Sequence, residues 1–164
     1  MRPPWRIRAL SPSDPDWVRK FIIEHWGAEE VVAHGDVAQP AQLPGFACIL
    51  HNEIIGLVTY RILKSECEII SLDSLKPQNG IWTALIEAIT HIAVEKNCTK
   101  LWLVTTNDNL LALGFYQRRG FKIAAVYPDA VTEARKIKPS IPLVGLEGIP
   151  LTDEIVLEKK LPDR

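Results

Sequence analysis

Trp5, Ile7 and Ala9 alternate with Arg6 and Arg8, the period-2 pattern of a half-buried strand, and Ser11-Pro12-Ser13 breaks it. Asp14-Pro15 then predicts a helix start, a capping carboxylate followed by a proline whose missing N–H is harmless at the first helical position. Trp17, Val18, Phe21, Ile22 and His25 recur at helical spacing, and Gly27 supplies the stop. Residues 29–44 hold no sustained period. Val31-Val32, His34-Gly35-Asp36, Pro40 and Pro44 predict a short helix or turn and then a loop, which would serve as a lid.

Apolar runs at 46–50 and 54–63 flank His51-Asn52-Glu53 and predict an antiparallel hairpin, with the next turn at Lys64-Ser65-Glu66. The strand at 67–72 alternates Cys67, Ile69 and Ser71 against Glu68, Ile70 and Leu72. Ile81, Leu85, Ile89 and Ile92, with Ala84, Ala88 and Ala93, form the apolar face of a long helix whose Glu87, His91 and Glu95 look outward. Leu101-Trp102-Leu103-Val104 is a continuous apolar run, as in a strand buried on both faces and paired in parallel after a helical crossover. A further helix carries Leu111, Ala112, Phe115 and Tyr116, with Arg118 and Arg119 in its last turn and Gly120 as its stop. Strands at 121–127 and 154–161 close the chain around a helical turn at 131–138. The predicted class is therefore mixed α/β (α+β), with helices flanking one sheet.

Composition narrows the function. Hydrophobic residues make up 47% and charged residues 24%, enough for a core and a solvated surface in one domain spanning 1–164. Nineteen Lys and Arg against twenty Asp and Glu leave a net charge of -1, so no field of one sign would gather nucleic acid or an anionic membrane. No apolar leader or spanning stretch is visible, which predicts a cytoplasmic protein. Cys48, Cys67 and Cys98 are odd in number and far apart, and His25, His34, His51 and His91 lack helical ligand spacing, so neither a disulfide framework nor a metal site is expected.

Gly80 opens a helix straight after a strand, where backbone N–H groups and the helix dipole favour an anion such as a pyrophosphate. The second motif is Asn107-x-Asn109-x-x-Ala112-x-x-Phe115-Tyr116-x-x-x-Gly120-Phe121, between a buried strand and a new one. Together, and in element order from Ile7 to Leu161, these features resemble the GCN5-related N-acetyltransferase (GNAT) family. The resemblance implies a central mixed, mostly antiparallel sheet of about seven strands flanked by helices. It implies acetyl-CoA as co-substrate, its pyrophosphate held at Gln78, Asn79, Gly80, Ile81, Trp82 and Thr83. Pro77 stands where the family has arginine or glutamine and Trp82 where it has a second small residue, so Gln78 and Asn79 become the replacement donors.

In that family a bulged strand leaves backbone free for the pantetheine arm, and residues 72–75, with Leu72 and Ser74, are the matching segment. Asn109 corresponds to the asparagine that meets the cofactor, and Tyr116 to the tyrosine near the sulfur, which protonates the departing thiolate. The resemblance implies a primary amine of a small molecule or peptide as the acceptor, and Glu68 and Asp73 are the candidates for its base. Acceptor choice falls to 26–44 and 129–151, with Trp26, His34 and Tyr127 foremost and Arg135, Lys136 and Lys138 as candidates for an anionic group on the acceptor. A second copy of the chain is a further expected partner. The competing reading is a non-catalytic acyl-CoA-binding or interaction module on the same fold; a dinucleotide oxidoreductase ranks behind both, because G-x-G-x-x-G is absent.

Overall fold

A computed structural model of the chain describes residues 2–33, 35–75 and 80–163. The elements run β1 (Arg6–Ala9), α1 (Pro15–Trp26), β2 (Val31–Ala33), β3 (Asp36–Ala38), a 3-10 turn (Pro40–Gln42), β4 (Gly45–Leu50), β5 (Glu53–Leu63) and β6 (Glu66–Ser74). Then follow α2 (Ile81–Glu95), β7 (Lys100–Thr106), α3 (Leu110–Arg118), β8 (Lys122–Tyr127), α4 (Ala130–Ile137) and β9 (Glu154–Lys160). The seven longer-range strands form one mostly antiparallel sheet in the order β1-β4-β5-β6-β7-β9-β8, while β2 and β3 pair separately. Two compact units are present. One comprises residues up to Val31, Gln39–Leu101 and the end from Leu161; the other comprises Val32–Ala38 and Trp102–Lys160.

In the first unit, β1, β4, β5 and β6 form an antiparallel meander. Its two hairpins turn on His51-Asn52 and Lys64-Ser65, all four at positive φ between 49° and 65°. Two left-handed residues in a two-residue loop match the right-handed twist of the strands they join. Val18, Phe21 and Ile22 of α1 pack on Leu57 of β5, and α2 buries Ile81, Leu85, Ile86, Ile89 and Ala93. Ile86 is buried where the periodicity placed Ile92, a rotation of the helix face by part of a turn.

Asp14 stands at the start of α1 but makes no side-chain cap. Its buried carboxylate instead accepts from Arg8 Nη1 at 2.8 Å and Nη2 at 3.0 Å, and from the Ser11 N–H at 2.6 Å and Trp17 Nε1. Residues 29–44 also depart from expectation, since they contain the β2–β3 pair, and among their described residues only Pro40–Gln42 is helical, as a 3-10 turn. A three-residue strand is too short to show a period, so its pairing is invisible in the sequence.

In the second unit β8 pairs antiparallel with β9. Strand β7 buries Leu101 and Leu103 while Trp102 and Val104 stay half-exposed, so it alternates rather than being buried on both faces. Leu111, expected on the inner face of α3, is 60% exposed, whereas Ala112, Phe115 and Tyr116 are buried as the pattern predicts. The long segment before β9 is held by side chains bonding backbone. Asn107 accepts from the Thr152 and Asp153 N–H groups at 3.1 and 2.9 Å and donates to Pro150 O at 2.9 Å. Asp108 accepts from the Leu146 N–H at 2.9 Å, and Arg135 donates to the carbonyls of Ile141, Pro142 and Leu151. Such bonds satisfy backbone that has no ladder to join. No helix among the described residues is long and apolar enough to cross a membrane.

Candidate functional site

The end of β6 and the start of α2 converge on Gly56 of β5. A Cβ placed on that glycine would lie 2.9 Å from Ile81 Cγ2, 3.2 Å from Cys48 Cβ and 3.4 Å from the Asp73 carbonyl oxygen. The missing side chain is what lets the first turn of α2 rest on the sheet beside Asp73. Gly80 caps that turn at φ 74°, where a side chain would be strained, and a Cβ there would lie 4.0 Å from Trp5 Cζ2. The Ala84 N–H bonds Gly80 O at 3.0 Å, and Ile81, Trp82 and Thr83 form the first turn of the helix, at the positive end of its dipole. No acidic residue lies in that turn. A helix N-terminus with a glycine cap and no carboxylate in its first turn is an electropositive end that suits a pyrophosphate.

Strand β6 carries one extra residue. Thr59 pairs with Ser71 while Tyr60 pairs with Ile69, so Ile70 is the bulge, just before the 72–75 segment expected to carry it. At the bulge Thr59 Oγ1 and Ser71 Oγ share a buried hydrogen bond of 2.6 Å, a pair that sequence reasoning did not single out. Beyond it Leu72 and Ser74 are half-buried and still paired with β5, and the Leu75 N–H reaches Ile55 O at 2.8 Å.

The two carboxylates on β6 are in different surroundings. Glu68 is 8% exposed and ion-paired with Arg61, its cross-strand neighbour, at 2.8 Å. Asp73 accepts from Trp26 Nε1 at 2.8 Å, joining the end of α1 to the end of β6. Burial pushes the Asp73 carboxyl above its ordinary value, against the lowering effects of the Trp26 hydrogen bond and nearby His25. His25 is itself fixed, stacked on Phe21 with centroids 4.2 Å apart and with Nδ1 2.8 Å from Phe21 O. Trp26 thus belongs beside a candidate base, a contact across 47 residues that no local pattern announces.

Asn109 and Tyr116 lie in the second unit. Asn109 caps α3, its Oδ1 accepting from the Ala112 N–H at 3.2 Å. Tyr116 is 6% exposed, its ring set edge-on to Phe115 and Phe121 at 5.3 and 5.2 Å between centroids. Tyr127 is half-exposed at the end of β8. Arg135 is committed to three backbone carbonyls and Lys136 pairs with Glu133 at 2.8 Å, so these two serve α4 and its neighbouring loop. His34, Pro77, Gln78 and Asn79 lie outside the described residues. All three cysteines are buried and free; burial pushes the Cys48 thiol up to about 11 and Cys67 to about 12, which makes them poor nucleophiles.

A family model described as "Acetyltransferase (GNAT) family" matches residues 10–121. The uncharacterized protein YdhI of Bacillus subtilis (strain 168) is 44% identical over 140 residues, covering 85% of this chain and 88% of YdhI. Among solved structures, an IAA acetyltransferase from Bacillus cereus ATCC 14579 superposes with a TM-score of 0.76 at 18% identity, covering 96% of this chain and 99% of its own. A GNAT family acetyltransferase from Elizabethkingia anophelis, with acetyl-CoA bound, gives 0.69 at 20% identity, covering 98% of this chain and 100% of its own.

Proposed function

Because the chain belongs to the GNAT family of acetyltransferases, we propose that it transfers the acetyl group of acetyl-CoA to a primary amine of a small-molecule or peptide acceptor in the cytoplasm. The observation that carries this reading is the first turn of α2, glycine-capped, free of acidic residues and seated on Gly56 beside Asp73. When bound, acetyl-CoA supplies an acyl carbon activated as a thioester. The backbone N–H groups of Ile81, Trp82 and Thr83 hold its pyrophosphate, which is why side-chain changes around Pro77 and Trp82 leave the cradle standing.

An amine of pKa about 10 arrives protonated, and only its neutral form has the lone pair for attack. Asp73 takes that proton on its carboxylate. Of the two β6 carboxylates it is the better base, because burial raises its basicity while Glu68 is engaged by the Arg61 guanidinium. Trp26 Nε1 orients the Asp73 carboxylate by donating to Oδ2. The hydroxyl of Tyr116 donates to the departing sulfur; a thiol near 8.5 and a phenol near 10 are close enough for that proton to be shared.

Calorimetry with CoA, followed by release of CoA thiol from acetyl-CoA across a panel of amines, tests the reading. Absence of heat at millimolar CoA removes it. Binding without turnover on any amine leaves the acyl-CoA-binding module instead.

A further inference from the structure

Large apolar side chains gather around the Asp73 carboxylate, all of them within the first unit. Asp73 is the register partner of Leu57, and cross-strand partners project from the same face of a sheet, so Asp73 stands on the face where Ile22 of α1 packs. Trp26 follows Ile22 by four residues and lies one turn further along that side of the helix, where its Nε1 donates to Asp73 Oδ2 at 2.8 Å. Ile23 precedes Trp26 by three and flanks it. On the strand side, the Leu75 N–H bonds Ile55 O at 2.8 Å, which carries the β5–β6 register past Ser74. Leu75, two residues from Asp73, therefore falls on the same face.

Three of these side chains meet water at one corner: Ile23 is 44% exposed, Trp26 39% and Leu75 52%. Scattered apolar residues on a surface are ordinary, but these three border a carboxylate. Trp26 takes Oδ2, and Oδ1 receives no hydrogen bond among the described residues. Other charges of this helix end are directed elsewhere. Glu24 sits two positions from Trp26 and so leaves another side of α1, Glu29 is paired with Arg19 at 3.0 Å, and the imidazole of His25 is held on Phe21. One carboxylate within an apolar rim suits a single ammonium with a hydrocarbon body behind it. A second charge on that body would be desolvated against Trp26, Ile23 and Leu75.

We propose that this corner seats the acceptor, a small primary monoamine with an apolar body, its ammonium on Asp73 Oδ1 and its body across Trp26, Ile23 and Leu75. The assignment rests on the transferase reading and narrows its substrate class. The ammonium gives one proton to Asp73, the freed lone pair forms the amide bond as the C–S bond breaks, and the second N–H proton ends on the CoA thiol.

The test takes the n-alkylamines from propylamine to hexylamine, with 1,6-diaminohexane matching hexylamine in length but charged at both ends. Affinity by calorimetry and kcat/KM with acetyl-CoA are read for each on the full chain. Both are expected to rise about two- to fourfold per added methylene, as partial to full burial of each group implies. The diamine should fall about tenfold or more below hexylamine. Ile23→Ser and Leu75→Ser, at exposed positions, should each cut the hexyl-to-propyl ratio about two- to fivefold, and a ratio taken within one sample cancels any loss of folded protein. With CoA bound, a flat series, no binding of any amine, a diamine equal to hexylamine, or an unchanged ratio in both serine variants overturns this proposal and leaves the transferase reading standing. Length-dependent amine binding and CoA binding with no N-acetylhexylamine formed overturns the acceptor assignment. Amine binding without CoA binding overturns the transferase reading and the acceptor assignment with it.

Discussion

Replacing Asp14 with asparagine keeps the volume of the side chain and removes its charge. In the folded chain that carboxylate is 5% exposed and receives Arg8 through two nitrogens, the Ser11 N–H and hydroxyl, and Trp17 Nε1. An asparagine oxygen can still accept from Ser11 or Trp17, but its NH₂ would face the Arg8 guanidinium, donor against donor. Breaking a buried pair costs about 3–5 kcal/mol, and a hydrogen bond to a charged group contributes about 1.5–3. Arg8 is 33% exposed and can turn toward water, which discounts the pair. The net expectation for Asp14→Asn is about 2–3 kcal/mol, or roughly 4–12 °C in Tm for a chain of this size.

The pH dependence makes the prediction sharper. The hydrogen bonds from Arg8 lead the causes that hold the Asp14 carboxyl well below the usual carboxylate range. A depressed folded value means that the stabilisation is complete above the unfolded value of about 3.9 and is lost as pH falls toward the folded one. Urea denaturation of both chains should therefore show a constant gap from about pH 8 to pH 5 that narrows below about pH 4. A loss under about 0.5 kcal/mol at neutral pH, or a gap that stays constant down to about pH 3, refutes the reasoning.

Asp73→Asn should lower kcat by roughly 10²–10⁴ and abolish an acid limb that, in the wild type, lies above the ordinary carboxylate range; an unchanged profile transfers the base to another group. Tyr116→Phe keeps the packing on Phe115 and Phe121 and should lower kcat roughly ten- to a thousandfold with little change in acetyl-CoA affinity, and steady-state kinetics showing an unaltered kcat reduce Tyr116 to packing. Gly56→Val forces a side chain into the contact with Ile81 and Cys48, so it should cost about 1–3 kcal/mol in urea and weaken CoA binding by displacing the first turn of α2. Full CoA affinity in a folded Gly56→Val chain would show that this packing does not position the cradle.

Local chemistry determined much of this protein. Period-2 runs and turn residues suffice for β4, β5 and β6, since His51-Asn52 and Lys64-Ser65 close their hairpins without help from distant residues. Helical spacing and the glycines at 27 and 80 likewise mark the end of α1 and the start of α2, because those signals act within one turn of the chain. Gly80 and the apolar helix behind it made the proposed anion cradle legible for the same reason. What distant segments do to one another was not legible. The use of Asp14 by Arg8 rather than as a cap, the Ile70 bulge with its Thr59–Ser71 bond, and the Trp26–Asp73 contact each depend on register or packing between separate elements. So do the raised basicity of Asp73, which follows from burial, and the apolar rim that Ile23, Trp26 and Leu75 set around it. A residue's type and spacing carry its local conformation, whereas its desolvation and its partners exist only once the chain has closed on itself.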